Sequence, residues 1–144
     1  MEAGGAFDVV RQATAADIPA LVDMARAFHV ECEPRFAFDA DHMAQEFERY
    51  IAADAATCLT HGLGFIMGVL APAMSNPAWV VAYEALWWSE DGNGLRLMRA
   101  FEEWARDAGA DEVKFSHPAG NERAETILTR TGHRPTEIVY SRGL

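Results

Sequence analysis

Several features that point to particular kinds of protein are scarce in this sequence. It has only two cysteines, Cys32 and Cys58, and they form no CxxC pair, which is typical of a reducing compartment rather than of a disulfide-linked secreted domain. No apolar run is long enough to cross a bilayer. The segment from Met1 to Phe7 carries no basic stretch of the kind that opens a secretory signal peptide. We therefore expect a cytoplasmic chain with no membrane partner.

Positive charge is scarce as well. Lysine and arginine number 12 against 22 aspartates and glutamates, which gives a formal net charge of −10. A surface this acidic repels nucleic-acid phosphates and anionic lipids, so we expect neither as a partner. It weakly favours a cationic substrate. The five histidines show no ligand-like pairwise spacing, and we predict no metal site.

The composition that remains is that of an ordinary globular domain. The chain has 144 residues, of which 50% are hydrophobic and 24% charged. This length and balance predict a single domain over residues 1–144 with an adequate core.

The most informative stretch runs from Val80 to Ala110. Val80–Trp88 is rich in β-branched and aromatic residues and predicts a strand. A polar turn, Ser89–Gly94, follows, and then apolar residues recur at helical spacing up to Gly109, which ends the helix. A helix that starts at glycines presents free backbone N–H groups at its positive end, which favours a phosphate. Because the motif is short, an ordinary turn without a ligand remains the alternative.

The rest of the chain supplies further strands and helices. A Thr14-x-x-Asp17 cap predicts a helix to about His29 or Glu31. The other predicted elements are a first strand at Phe7–Ala13, a second helix after Asp39 or Asp41, strands at Ala56–Thr60 and Gly64–Leu70, a loop at Ala71–Pro77, a strand at Glu112–His117, a helix capped by Asn121 that ends at Thr131-Gly132, and a last strand at Glu137–Ser141. This order predicts a mixed α/β (α+β) sheet with one parallel pair, formed by the crossover from Val80 to His117.

The element order and several short patterns resemble the GNAT superfamily of acyl-CoA-dependent N-acyltransferases, close to its small phage-associated members. The patterns that carry the resemblance are Arg11–Ile18, Phe65–Val69, Glu84–Trp88, Gly94–Met98, Phe101–Ala105, Asn121 and Ile127–His133. The resemblance implies a mostly antiparallel central sheet with helices on both faces and one splayed pair of parallel strands.

The resemblance also implies a site for acetyl-CoA as co-substrate, between the strands Val80–Trp88 and Glu112–His117. Backbone N–H groups near Trp87 and Trp88 would hold the thioester carbonyl. The pyrophosphate would be bound by backbone N–H groups at the helix start, from Gly92, Asn93, Gly94, Leu95 and Arg96. Asn121, at the start of the later helix, is a further cofactor-binding candidate. Glu84 is the candidate base, because a partly buried carboxylate there would have a raised pKa. The alternative is that Glu84 points outward in a salt bridge.

The sequence departs from the family pattern at the turn and at the general acid. Glu90 and Asp91 place two carboxylates where an anion should dock, although Asp91 could serve as a helix cap. Arg96 or Arg99 would compensate only if turned toward the ligand. Leu128 stands where the family often has a tyrosine that serves as general acid, and Tyr140 in the predicted last strand is the candidate substitute. His117, at the end of a predicted strand beside the cleft, is a further candidate for proton transfer.

Two functions follow from this comparison. The first is an N-acetyltransferase that moves an acetyl group to a primary amine of a small molecule or a protein, as a homodimer formed through the aromatic strand. The second is an inactive GNAT-fold binding or regulatory protein with a degenerate CoA site. Phe36 and Phe38, in the loop between the first two helices, predict either a hydrophobic staple or a wall of the substrate pocket.

Overall fold

The computed structural model describes residues 9–32 and 35–144. A short 3₁₀ turn at Ala15–Asp17 precedes the first α helix. The five strands are β1 (Arg11–Gln12), β2 (Ala56–His61), β3 (Gly64–Ala73), β4 (Asn76–Ser89) and β5 (Glu112–Lys114), and the four α helices are α1 (Ile18–Cys32), α2 (Ala40–Ala52), α3 (Gly94–Asp107) and α4 (Glu122–Arg130).

The five strands form one mixed sheet in the order β1-β2-β3-β4-β5. All neighbours pair antiparallel except β4 and β5, which are parallel. The connection from β4 through α3 to β5 is therefore the predicted crossover, and the predicted fold class is confirmed.

Helices cover both faces of the sheet. On one face α1 and α2 bury Leu21 and Phe47 against Phe65 and Met67 of β3. On the other face α3 buries Leu97 and Phe101 with Leu59, Ile66 and Ala82. These two clusters follow from the 3.6-residue period of the helices and the alternation of the strands.

The predicted helix starts are confirmed at three places. The Asp17 carboxylate accepts the Thr14 backbone N–H at 2.8 Å, Asp39 accepts the His42 N–H at 3.0 Å, and Asn121 caps α4. Each side chain satisfies a backbone donor that the first helical turn leaves free. Within the two described ranges, no helix combines the length and apolarity needed to span a membrane.

The predicted loop Ala71–Pro77 is wrong, because β3 and β4 continue through most of it and leave only Met74 and Ser75 between them. Pro72 still pairs opposite Val80, next to an irregularity in the register. Proline is tolerated in a strand at such an irregularity.

The predicted ends of the sheet are wrong as well. Of the first predicted strand only Arg11–Gln12 pairs, and Phe7 and Asp8 lie outside the described residues. The predicted last strand Glu137–Ser141 is not formed in the described chain, and Ile138, Val139 and Tyr140 are 74%, 87% and 88% exposed. A strand needs a neighbour that supplies hydrogen bonds and burial, and this segment has neither.

Candidate functional site

The candidate site begins where β4 and β5 separate. The two strands pair only from Val81 to Tyr83 and from Glu112 to Lys114, whereas β4 continues to Ser89. The prediction that β5 reaches His117 is therefore wrong. Its physical reason is local, since the Ser116 backbone N–H donates to the Glu84 carboxylate at 2.8 Å instead of continuing the ladder.

A β-bulge in β4 lies at the same level. Gly68 of β3 pairs with Glu84 and Met67 pairs with Leu86, so Ala85 is the extra residue. The extra residue of a bulge has no ladder partner. The irregular backbone is thus at Ala85, while Trp87 and Trp88 pair regularly with Ile66 and Phe65.

Glu84 lies on the α3 face of the sheet. Side chains alternate along a strand, and Ala82, two residues earlier, belongs to the core cluster beneath α3. Burial raises the pKa of Glu84 to about 7, although hydrogen bonds from the Ser116 backbone and side chain lower it in part. No ion pair among residues 9–32 and 35–144 includes Glu84, so the salt-bridge alternative is not supported.

The other two candidate catalytic residues are placed differently. His117 follows β5 and is half-buried, and its Nδ1 donates to the Pro118 carbonyl oxygen at 2.9 Å, because a carbonyl can only accept. Tyr140 lies on the C-terminal segment and is 88% exposed, so the structure does not bring it into a packed site beside Glu84.

The predicted phosphate turn leads directly into α3. Gly92 has a φ of +79°, a conformation that side chains rarely adopt. The Asn93 backbone N–H donates to the Ser89 hydroxyl at 2.9 Å, and α3 begins at Gly94. The Asn93 side chain, at the N-cap position, caps no N–H of the described helix. The first N–H groups of α3, from Gly94 to Arg96, belong to the turn that has no carbonyl partners within the helix.

The two acidic residues of the turn are held by other groups. Asp91 does not cap α3 as predicted; its Oδ2 accepts the Leu63 backbone N–H at 3.0 Å and its Oδ1 accepts the Ser89 hydroxyl. Burial raises the pKa of Asp91, but these hydrogen bonds outweigh it and the pKa lies below its usual value. Glu90 accepts the Trp88 indole N–H at 3.2 Å. Asp91 therefore ties the turn to the hairpin between β2 and β3.

A cation that the sequence reasoning missed lies beside this turn. A Cβ atom placed on Gly92 would be 3.1 Å from Nη2 of Arg123, near the start of α4. Arg123 is exposed and has no hydrogen-bond or ion-pair partner among the described residues. It lies two residues after the predicted N-cap Asn121, but only the packing of α4 against α3 shows that it reaches Gly92.

The side chains of Trp87 and Trp88 lie on opposite faces of the sheet. The Trp87 indole N–H donates to the Gly94 carbonyl oxygen at 3.1 Å, which fastens β4 to the start of α3. The Trp88 ring packs edge-on against Phe28, with centroids 5.8 Å apart. The Asn121 side-chain oxygen accepts the Ala124 N–H at 3.1 Å. The cofactor-binding roles of these three residues stay predictions.

The loop after α1 is fastened by His29. Nε2 of His29 donates to the Phe36 carbonyl oxygen at 2.6 Å, and Phe38 packs against the core beneath α1 and α2. Phe38 therefore has the staple role. Phe36 is 59% exposed and could contact a substrate.

A separate cavity of about 450 Å³ lies at the opposite edge of the sheet, between β1, β2 and the start of α1. Its two charged residues, Arg11 and Asp17, are bonded to each other through two 2.8 Å contacts. The side chain of His61, at this end of β2, is buried, and neither of its ring nitrogens has a hydrogen-bond partner among residues 9–32 and 35–144. His61 lies on the α3 face because its strand partner Gly64 contacts Leu97.

No protein-family model matches the sequence, and no curated protein matches it. Solved structures do match. An acetyltransferase of Arthrobacter sp. FB24 described only as putative is 22% identical, with a TM-score of 0.75 over 95% of this chain and 96% of that chain. AAC(6')-Iy, in complex with the bisubstrate analogue CoA-S-monomethyl-acetylneamine, is 15% identical, with a TM-score of 0.69 over 94% and 97%. A transcriptional regulator from Bacillus halodurans C-125 is 14% identical, with a TM-score of 0.74 over 94% and 99%.

These likenesses establish the fold. The chain has the GNAT α/β fold over nearly its whole length. Because one neighbour is described as a transcriptional regulator, the fold does not by itself decide the activity, which depends on the residues of the site.

Proposed function

We propose that this protein is an acetyl-CoA-dependent N-acetyltransferase that acts on a primary amine, with Glu84 as its base. The observation that carries the proposal is the placement of Glu84. A carboxylate without a counter-ion, whose pKa burial raises to about 7, lies where β4 and β5 separate. A base with a pKa near the working pH is what proton removal from an ammonium group requires.

The start of α3 supports a binding site for the CoA pyrophosphate. Its first N–H groups are at the positive end of the helix dipole, where anions bind. Gly92 allows close approach of a phosphate, and Arg123 supplies a positive charge beside it. The Asp91 carboxylate accepts a hydrogen bond from the Leu63 backbone N–H, so it is held by a group outside the helix start.

The chemistry is a direct transfer. The amine, neutral once it has lost a proton to Glu84, attacks the thioester carbonyl carbon; a C–N bond forms, the C–S bond breaks, and the leaving CoA thiolate takes up the second proton, which the acylated nitrogen releases. The developing oxyanion needs a backbone donor. The N–H groups near Trp87 and Trp88 are one candidate. The N–H of the bulge residue Ala85, which has no register partner on β3, is another that lies closer to Glu84 in the chain.

The acceptor is proposed by class alone. One structural neighbour is an aminoglycoside acetyltransferase from an uncultured soil metagenomic sample, and the net charge of −10 favours a cationic amine in the present chain. A small-molecule amine and a protein amino group both fit. The homodimer and the cytoplasmic location predicted from the sequence stay predictions.

The alternative is a GNAT-fold binding or regulatory protein that does not catalyse. The presence of Glu90 and Asp91 in the phosphate turn favours it, and so does the neighbour described as a transcriptional regulator. This alternative predicts no acetyl transfer.

A thermal-shift titration with acetyl-CoA and with CoA tests the cofactor site. Ligand at a hundred- to a thousand-fold excess over Kd should stabilise a binder by roughly 3–4 kcal/mol. Gly94→Glu should abolish the shift, because it places a negative charge at the helix start. Gly94→Ala is the matched control, since a Cβ at Gly94 makes only ordinary contacts, the nearest at 3.6 Å from Trp87. No shift at millimolar ligand would overturn the proposal.

A further inference from the structure

Ser116 follows β5, beyond the part of the sheet where β4 and β5 pair, and still contacts β4. The last parallel pair is Tyr83 with Lys114. Two residues later the Ser116 N–H donates to Oε1 of Glu84 at 2.8 Å. The side chain of Glu84 thus occupies the place of a backbone acceptor at the point where the strands separate.

This hydrogen bond is made to Oε1 of Glu84. The other carboxylate oxygen, Oε2, does not accept the Ser116 backbone N–H. A half-buried carboxylate without any donor would be destabilised by the loss of its contacts with water. The Ser116 side chain also favours the charged form of this carboxylate and lowers its pKa in part, and Ser116 itself is exposed. The donor therefore lies at the open side of the separated strands.

Other charged groups do not replace Ser116 in this role. The titratable groups on neighbouring elements have partners of their own: Lys114 with Glu137 at 3.5 Å, Glu102 with His133 at 2.8 Å, and His117 with the Pro118 carbonyl oxygen at 2.9 Å. On β3 the residue opposite Glu84 is Gly68, and α3 presents the Phe101 ring there. The described surroundings of Glu84 thus contain one donor residue and no paired cation.

We infer that Ser116 is a positioning residue, which holds Oε1 of Glu84 at the separation of β4 and β5 so that Oε2 faces the incoming amine. The inference rests on the proposed function for its catalytic meaning. Its geometric content, that Ser116 holds and stabilises the Glu84 carboxylate, does not require turnover. The two can therefore be tested separately.

The test is a ¹³C NMR titration of the Glu84 side-chain carboxyl in the wild type and in Ser116 variants. Ser116→Ala removes a hydroxyl that stabilises the charged form, so the pKa of Glu84 should rise by about half a unit to one unit. Ser116→Thr, which keeps the hydroxyl, should restore the wild-type titration. Ser116→Pro, which removes the N–H, should raise the pKa further; if that variant does not fold, Ser116→Ala decides.

Ser75→Ala is the matched control, because Ser75 lies in the short turn between β3 and β4. An unchanged Glu84 titration in Ser116→Ala, equal to that of the control, would overturn the inference. With an acceptor in hand, Ser116→Ala should move the acidic limb of the kcat/KM profile upward by the same amount and leave KM for acetyl-CoA unchanged. A moved titration in a protein that transfers no acetyl group would support the positioning role and contradict the proposed function.

Discussion

Removing Arg123 should weaken the binding of CoA without weakening the fold. The guanidinium Nη2 would lie 3.1 Å from a Cβ on Gly92, so a phosphate resting on that glycine would be about 4 Å from a positive charge. Two unit charges at about 4 Å attract by roughly 4 kcal/mol at an effective dielectric constant of 20 and by roughly 1 kcal/mol in bulk water. Because Arg123 is exposed, we expect about 1–2 kcal/mol, or a roughly ten-fold rise in Kd for Arg123→Ala.

Isothermal titration calorimetry with CoA at two salt concentrations measures this effect. High salt should reduce the loss of CoA affinity that Arg123→Ala causes, because salt screens the attraction between a surface charge and a ligand. Arg130→Ala is the matched control, because Arg130 lies at the other end of α4. Equal affinities in wild type, Arg123→Ala and Arg130→Ala would refute the reasoning and remove the pyrophosphate from the Gly92 turn.

Three further predictions concern stability. First, folding raises the pKa of Glu84 from 4.5 to about 7. Between these two pH values the folded state keeps a proton that the unfolded state has lost, so the free energy of unfolding falls as the pH rises through about 7. Glu84→Gln should therefore be more stable than wild type at pH 8, by on the order of 2 kcal/mol, and the difference should shrink toward pH 5; equal urea curves at both pH values would contradict this. Second, His61→Leu should be neutral or stabilising by about 1 kcal/mol, because both ring nitrogens are buried and have no hydrogen-bond partner in the part of the chain that the structure describes; a clear loss of stability in urea denaturation would show that they are satisfied. Third, Gly68→Ala should destabilise the fold by about 3 kcal/mol, because its Cβ would overlap the Tyr83 carbonyl oxygen and the Phe101 ring; an unchanged Tm would contradict the bulge geometry.

The sequence predicts the elements that depend on local pattern. The stripe of α3, its end at Gly109 and the caps at Thr14, Asp39 and Asn121 all depend on neighbouring residues, and the structure confirms them. The choice of Glu84 as candidate base came from the resemblance, which sets it on the strand Val80–Trp88 just before the carbonyl-binding point, and its catalytic role stays a prediction.

Features that depend on residues distant in the chain could not be predicted in the same way. Asp91 is bonded to Leu63, 28 residues away, and Arg123 lies over a glycine 31 positions earlier. The pattern of Glu137–Ser141 favours a strand, but no neighbour pairs with it in the described chain. Local composition indicates what a segment can form, whereas the fold decides which partner it meets.

The most direct test of the account is the pH dependence of acetyl transfer from acetyl-CoA to a panel of primary amines. The transfer is measured through the CoA thiol that it releases. The account predicts transfer to at least one cationic amine, with kcat/KM rising with pH through an apparent pKa of about 7, as for Glu84, and falling by at least a hundred-fold in Glu84→Gln, in line with the loss of a general base. Binding of acetyl-CoA without transfer to any amine, or transfer that Glu84→Gln leaves unchanged, would contradict it.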